Sequence, residues 1–170
     1  MRVGILGSGQ LGRMLALAAH PLGHDVFVLG ERADDPAMAV ARGTVASPDD
    51  VAAVERFASS VDVVTFEFEN VPAASLAAAA RVTQAWPPVR ALEIGSDRWL
   101  EKTMFASLGI ATAPSRAVDD EASLARAVSE LGLPAVLKTR RLGYDGKGQK
   151  VLRTPADVPG SHDELGAAPC

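Results

Sequence analysis

Short apolar runs alternate with helix-spaced apolar positions through the first half of the chain, the rhythm of a parallel sheet covered by helices. Residues 3–6 read as a first strand. Over Gln10–Ala19, Leu11, Met14, Leu15 and Ala18 recur at helical spacing and predict one apolar helix face, and the pattern ends near Pro21 and Gly23. Asp25–Gly30 reads as a second strand and residues 43–46 as a short third. Ser47-Pro48-Asp49-Asp50 then predicts an N-cap, a proline at the first helical position and acids in the first turn, with Val51, Val54 and Phe57 on one face. Residues 61–66 form another buried run, an alanine-rich helix follows over 73–80, and residues 82–85 close the sheet.

Pro87-Pro88 interrupts this rhythm, since proline continues neither a central strand nor a helix interior. It divides the chain into a domain over 1–88, a helical linker region over 89–133 and a last piece over 134–170. Ser96 is positioned to cap a helix reaching Leu108 and stopped by Gly109, and Asp119 to cap one reaching Leu131, stopped by Gly132 and Pro134. Residues 135–138 read as a strand, 143–148 as a glycine-rich turn and 149–152 as the return strand. Thr154-Pro155 opens one more helix before loop-like sequence.

Composition narrows the possibilities. In 170 residues, 48% are hydrophobic and only 5% aromatic, so the core rests on Ala, Val and Leu, which suits helices on a parallel sheet. A net charge of -4 argues against a protein that neutralises many nucleic-acid phosphates, while a few aimed N–H groups still suffice for one small anion. The single cysteine, Cys170, excludes an internal disulfide and a thiolate metal cluster. The apolar run at the N-terminus is too short for a signal segment or membrane span, so a cytoplasmic protein is expected. His20, His24 and His162 fall near predicted turns and are expected at the surface.

Two glycine loops carry the candidate chemistry. Gly7-Ser8-Gly9-Gln10-Leu11-Gly12 matches G-x-G-x-x-G between a strand and a helix, where glycines permit a tight turn and helix-start N–H groups can face a phosphate. A purely structural turn has the same look, and Glu31 at the end of the second strand keeps a dinucleotide oxidoreductase open. Glu67-Phe68-Glu69-Asn70 argues the other way. It brings carboxylates to the same sheet edge, where two pyrophosphate charges would tolerate them poorly and a sugar hydroxyl or amine would not; a solvated acidic loop is the plainer alternative. In the second loop, Lys138 ends a strand, Arg140 and Arg141 follow, and Gly143, Gly146 and Gly148 make a flap able to lend N–H groups to phosphates. Its spacing is not that of a Walker A loop, and a basic hairpin without ligand stays open.

Together these residues resemble the ATP-grasp enzymes, and within them the 5-(carboxyamino)imidazole ribonucleotide synthases. The resemblance runs in order through Gly7 to Leu15, Glu67 to Asn70, Asp97-Arg98 with Glu101-Lys102, and Lys138 with Gly143 to Gln149, reaching about Leu152. It implies an α/β fold with an N-terminal Rossmann-like parallel sheet, the pre-ATP-grasp domain, followed by an incomplete ATP-grasp domain whose lid subdomain starts at 134. It implies a ligase in which ATP phosphorylates bicarbonate to carboxyphosphate and the amine of 5-aminoimidazole ribonucleotide captures the carboxyl group. By the same resemblance Gly9, Gln10, Leu11 and Glu67 hold the ribonucleotide. Arg98, Lys138, Gly143, Tyr144, Asp145, Gly146, Lys147, Gly148 and Gln149 bind ATP. Relatives continue past residue 170 and carry their Mg2+ ligands there, so none is expected in this chain, which reads as a fragment inactive alone; the resemblance allows a homodimer. Rival readings are a formate-dependent glycinamide ribonucleotide transformylase, a biotin carboxylase-like ligase, an NAD-binding oxidoreductase and a non-catalytic nucleotide-binding module.

Overall fold

The computed structural model describes residues 1–143 and 146–170, which form two compact units, Met1–Glu93 and Ile94–Cys170. In the first unit, β1 (Arg2–Leu6), β2 (Asp25–Gly30), β3 (Arg42–Val45), β4 (Val63–Phe66) and β5 (Gln84–Ala85) build one parallel sheet in the order β3-β2-β1-β4-β5. Successive strand residues point to opposite faces, so each face acquires its own core. Leu6, Leu29 and Val64 pack with Val54, Phe57 and Ala58 of α2 (Val51–Ala58), with Leu76 and Ala79 of α3 (Ala73–Val82), and with Leu92 of α4 (Val89–Gly95). Ile5, Val26 and Val28 pack instead with Ala16 of α1 (Gln10–Ala19) and with Ala37. Strand order reverses between β1 and β4, and an open α/β sheet offers its ligand crevice at the carboxyl ends flanking such a point.

Helix α1 has the expected span but buries the opposite face. Gly12 and Ala16 are its buried residues, while Leu11 and Met14 remain 54% and 65% exposed and Leu15 is exposed as well. Gly12 and Ala16 share the same helical spacing as the larger residues, and the helix that follows β1 approaches the sheet so closely that only small side chains fit beneath it. Helix α2 likewise begins later than Ser47-Pro48 predicts. Asp50 is its cap, accepting the Ala53 N–H at 3.0 Å, and residues 47–50 form a turn instead, closed by the Asp50 N–H on the Ser47 carbonyl.

The second unit contains α5 (Arg98–Ser107), α6 (Glu121–Leu131), the antiparallel pair β6 (Ala135–Lys138) and β7 (Gln149–Leu152), and α7 (Ser161–Glu164). Leu124 and Ala127 of α6 pack against Leu137, Leu152 and Val118. The other sheet face leaves the directly opposed Val136 and Val151 half open to solvent. The caps are Asp97 and Asp120, one residue beyond Ser96 and Asp119, because carboxylates there reach the free N–H groups of the first turns. Thr154-Pro155 starts only a 3-10 turn, Pro155–Asp157, with Asp157 bonding back to the Thr154 N–H at 2.7 Å. The last residues are not a loose loop. Val118 and Cys170 exchange two backbone hydrogen bonds, and the Arg140 N–H donates to the Pro169 carbonyl. His162 is also buried rather than at the surface, because α7 packs on α6 and its N–H donates to the Glu121 carboxylate at 2.9 Å. No described helix is long and apolar enough to cross a membrane.

One buried ion pair ties these pieces together. Asp97, only 2% exposed, accepts from the Trp99 and Leu100 N–H groups and receives the Arg140 guanidinium through Nε at 3.0 Å and Nη2 at 2.7 Å. Burial works against ionisation, but the Arg140 fork and the two backbone N–H groups outweigh it and hold Asp97 below the usual carboxylate range. Asp97→Asn should therefore destabilise the second unit by about 3–5 kcal/mol, the cost of leaving one partner of a buried pair uncompensated. Since the folded-state value is depressed, the contribution is complete above the unfolded-state value of about 3.9 and disappears as pH falls through the folded-state value. Amide exchange across α5 and β6 between neutral and acid pH checks this: the wild-type unit should lose protection in acid, and the Asn variant should be weak throughout.

Candidate functional site

The first glycine loop lies at the switch point between β1 and β4. Leu6 pairs with Phe66 in register, so the chain leaves β1 at Gly7 directly beside Glu67, whose N–H donates to the Leu6 carbonyl at 3.1 Å. The Glu67 carboxylate folds over the loop. Its Oε1 accepts the Gly9 N–H at 2.8 Å and its Oε2 accepts the Gly12 N–H. The N–H groups that the sequence pattern assigns to an incoming phosphate are thus partly engaged already, by an acid of the chain itself.

The glycines follow from that approach. A Cβ on Gly7, whose φ is +110°, would lie 2.4 Å from Glu67 Cγ, and one on Gly12 would lie 2.9 Å from Glu67 Oε2 and 3.0 Å from the Gly7 carbonyl oxygen. Buried Ser8 donates to Asp35 and accepts the Ala37 N–H at 2.9 Å through its carbonyl, so the loop is held from both sides. Gln10 and Leu11 are exposed at the helix start, and their N–H groups have no partner among the described residues. Gly9, Gln10, Leu11 and Glu67 are therefore brought together. Glu31 does stand just past β2, but it accepts the Ser47 hydroxyl at 2.9 Å, and Glu67 already accepts the Gly9 and Gly12 N–H groups of the loop.

The second loop springs from β6 and β7. Lys138 ends β6 opposite Gln149, exposed and without a hydrogen-bond or ion-pair partner among the described residues. Arg98, the first residue of α5, donates through Nη1 to the Thr139 carbonyl at 2.7 Å and through Nη2 to the Gly143 carbonyl. At the far end of the flap the Thr139 N–H donates to the Gly148 carbonyl at 2.8 Å, and Gly146 and Gly148 take positive φ of 79° and 65°. Both ends of the flap are thereby fixed to one strand end. Lys147 lies in the turn between them. Tyr144 and Asp145 lie outside the described residues.

Arg98 and Lys138 line a single cavity of about 520 Å³, with Trp99, Lys102, Leu131 and Val136 on its walls. The Lys102 ammonium donates to the Ala113 carbonyl at 3.0 Å. Cations at the rim and apolar surface beside them suit an anion joined to a flat apolar group. Trp99 escaped the sequence reading, although its place beside Arg98 was a usable signal. The Asp97–Arg140 pair escaped it too, because 43 residues separate its members.

Comparison with known proteins follows the same division of the chain. The ribonucleotide synthetase preATP-grasp domain family matches residues 1–96, and the ATP-grasp domain family matches residues 103–170. The N5-carboxyaminoimidazole ribonucleotide synthase of Pseudomonas aeruginosa is 49% identical over 170 residues, all of this chain and 47% of that protein. A crystallised N5-carboxyaminoimidazole ribonucleotide synthetase in complex with ADP superposes with a TM-score of 0.93 at 40% identity, covering 99% of this chain and 45% of that one. The enzyme of Aspergillus clavatus, solved with ADP and 5-aminoimidazole ribonucleotide, gives a TM-score of 0.85 at 30% identity over 98% of this chain and 43% of that one. The chain thus spans about half the length of the relatives it matches. With that match over more than half its residues, it belongs to the ribonucleotide synthetase preATP-grasp domain family, its sequence running on into an ATP-grasp domain.

Proposed function

We propose that this chain supplies the ribonucleotide-binding loop and the ATP-phosphate flap of an ATP-dependent ligase that carboxylates 5-aminoimidazole ribonucleotide. The observation that carries the reading is that Lys138 and Arg98 line one cavity and that Arg98 also holds the Gly143 carbonyl at the root of the glycine flap. A flexible nucleotide polyphosphate needs fixed positive charge and backbone donors at one end and an apolar surface for its base at the other. Lys138 and the flap meet the first need, and Val136 and Leu131 meet the second.

In this reading a bicarbonate oxygen attacks the γ-phosphorus of ATP, ADP leaves, and the ribonucleotide amine then attacks the carboxyl carbon of carboxyphosphate as inorganic phosphate departs. Lys138 contributes charge where the transferred phosphoryl group accumulates it, and Arg98 holds the root of the flap through the Thr139 and Gly143 carbonyls. Gly143, Gly146, Lys147, Gly148 and Gln149 form the cover, which shields a readily hydrolysed intermediate from water. On the ribonucleotide, Gln10 and Leu11 offer N–H groups, and Glu67 offers oxygen acceptors to a hydroxyl or amine. Mg2+ bound to ATP would neutralise phosphate charge. Among the described residues no group of three or more His, Cys, Asp or Glu side chains is arranged to hold a cation.

In a protein joining this chain to the further length its relatives possess, phosphate release from ATP should require bicarbonate and rise with 5-aminoimidazole ribonucleotide. Stimulation by formate and glycinamide ribonucleotide instead would overturn the reading. Lys138→Ala should lower kcat/KM for ATP by about 100-fold, the usual effect of removing one preorganised charge-stabilising group. Ribonucleotide affinity, read by calorimetry, should stay unchanged, and an equal loss of both would remove Lys138 from the ATP site.

A further inference from the structure

Lys138 and Arg98 reach their cavity from separate elements, one at the end of β6 and the other at the start of α5. We propose that Arg140 is a positioning residue for the ATP reaction: clamped to Asp97 at the head of α5, it sets the strand end that carries Lys138 against the helix start that carries Arg98.

Arg140 is held through its side chain and its backbone alike. Its Nε and Nη2 fork onto the two oxygens of Asp97, its carbonyl accepts the Arg98 N–H at 3.0 Å, and its N–H donates to the Pro169 carbonyl at 2.8 Å. One residue earlier the Thr139 carbonyl accepts Arg98 Nη1 at 2.7 Å, while the Thr139 N–H reaches the Gly148 carbonyl. Lys138, Thr139 and Arg140 are therefore one short segment pinned along the first turn of α5. With Nε and Nη2 spent on Asp97, Arg140 acts through its neighbours and not on the nucleotide. A guanidinium suits that place, because a planar fork fixes angle as well as distance, which a lysine ammonium with rotating donors does not. Stability alone gives no reason for the pair, since a buried ion pair gains little over an apolar pair of similar size. Geometry does give one: in group transfer a displacement of about 1 Å can cost about 100-fold in rate. The catalytic consequence rests on the reading of Lys138 and Arg98 as ATP residues, whereas the clamp itself is a matter of hydrogen bonds.

Arg140→Lys keeps a charge opposite Asp97 and removes the fork. In the protein joined to the further length its relatives possess, it should lower kcat/KM for ATP by about ten-fold, but by less than about two-fold in a Lys138→Ala background, because a residue acting through Lys138 then has nothing left to position. Equal losses in both backgrounds are the mark of a merely structural role and would overturn the proposal, as would no loss in either. Amide exchange in the 170-residue protein reads the clamp without ATP. In Arg140→Lys the Arg98 and Thr139 amides should lose protection by at least about ten-fold while Leu124 and Ala127 of α6 keep theirs, and unchanged protection at Arg98 and Thr139 sinks the clamp. If the longer wild-type protein cleaves no ATP although the exchange result holds, the ATP reading fails and takes the catalytic role with it; cleavage with equal losses removes Arg140 alone. Should Arg140→Lys unfold the unit, Asp97→Asn combined with Arg140→Gln leaves no buried charge and decides by the same criteria.

Discussion

A helix that starts inside a protein leaves backbone N–H groups without partners, and each unit of this chain meets that demand with a carboxylate that also joins remote segments. Glu67, at the end of β4, reaches the Gly9 and Gly12 N–H groups and locks the loop after β1 to its neighbouring strand. Asp97 caps α5 and at the same time receives Arg140 from the strand end beyond β6. Without Glu67 the glycine loop would have no floor for its tight turn. Without Asp97, α5 would lose its tie to the root of the second loop. The favourable field of the helix start stabilises both negative charges, so one charge interaction serves helix, loop and tertiary contact together.

Much of this fold was legible because parallel strands buried on both faces read as short continuous apolar runs between turn residues. The bounds of β2, β6 and β7 and of α1 came out as expected, and both glycine loops fell between elements as their spacing requires. The failures share a cause, which is that the sequence offered two neighbouring candidates and packing chose between them. Leu11, Met14 and Leu15 lost to Gly12 and Ala16 because the crossing distance to the sheet selects small residues over greasy ones. Ser96 lost to Asp97, and Asp119 to Asp120, because only one of each pair sits where its side chain meets the first-turn N–H groups. His162 went inside with α7, whose position depends on α6 rather than on its own sequence. For the candidate site, the residues were visible and their partners were not. Nothing local in Glu67-Phe68-Glu69-Asn70 says that its first carboxylate returns to a loop 58 residues earlier.

The two glycine loops therefore use the same residue type for opposite ends. In the first, glycine removes side chains so that an acid of the protein can lie against the backbone, and the loop is filled, braced by Ser8 and Asp35, and rigid in its hydrogen bonding. In the second, glycine permits positive φ in a flap whose two ends are held by Arg98 on the Gly143 carbonyl and by the Thr139 N–H on the Gly148 carbonyl, with the Lys138 side chain at its base unpaired among the described residues. An approaching polyanion would compete with Glu67 for donors at the first loop and meet an unpaired ammonium at the second. Under the proposed function, a group bearing several phosphates would gain at the loop with Lys138, while a group offering hydroxyl or amine protons would gain at the loop where Glu67 retains acceptor capacity.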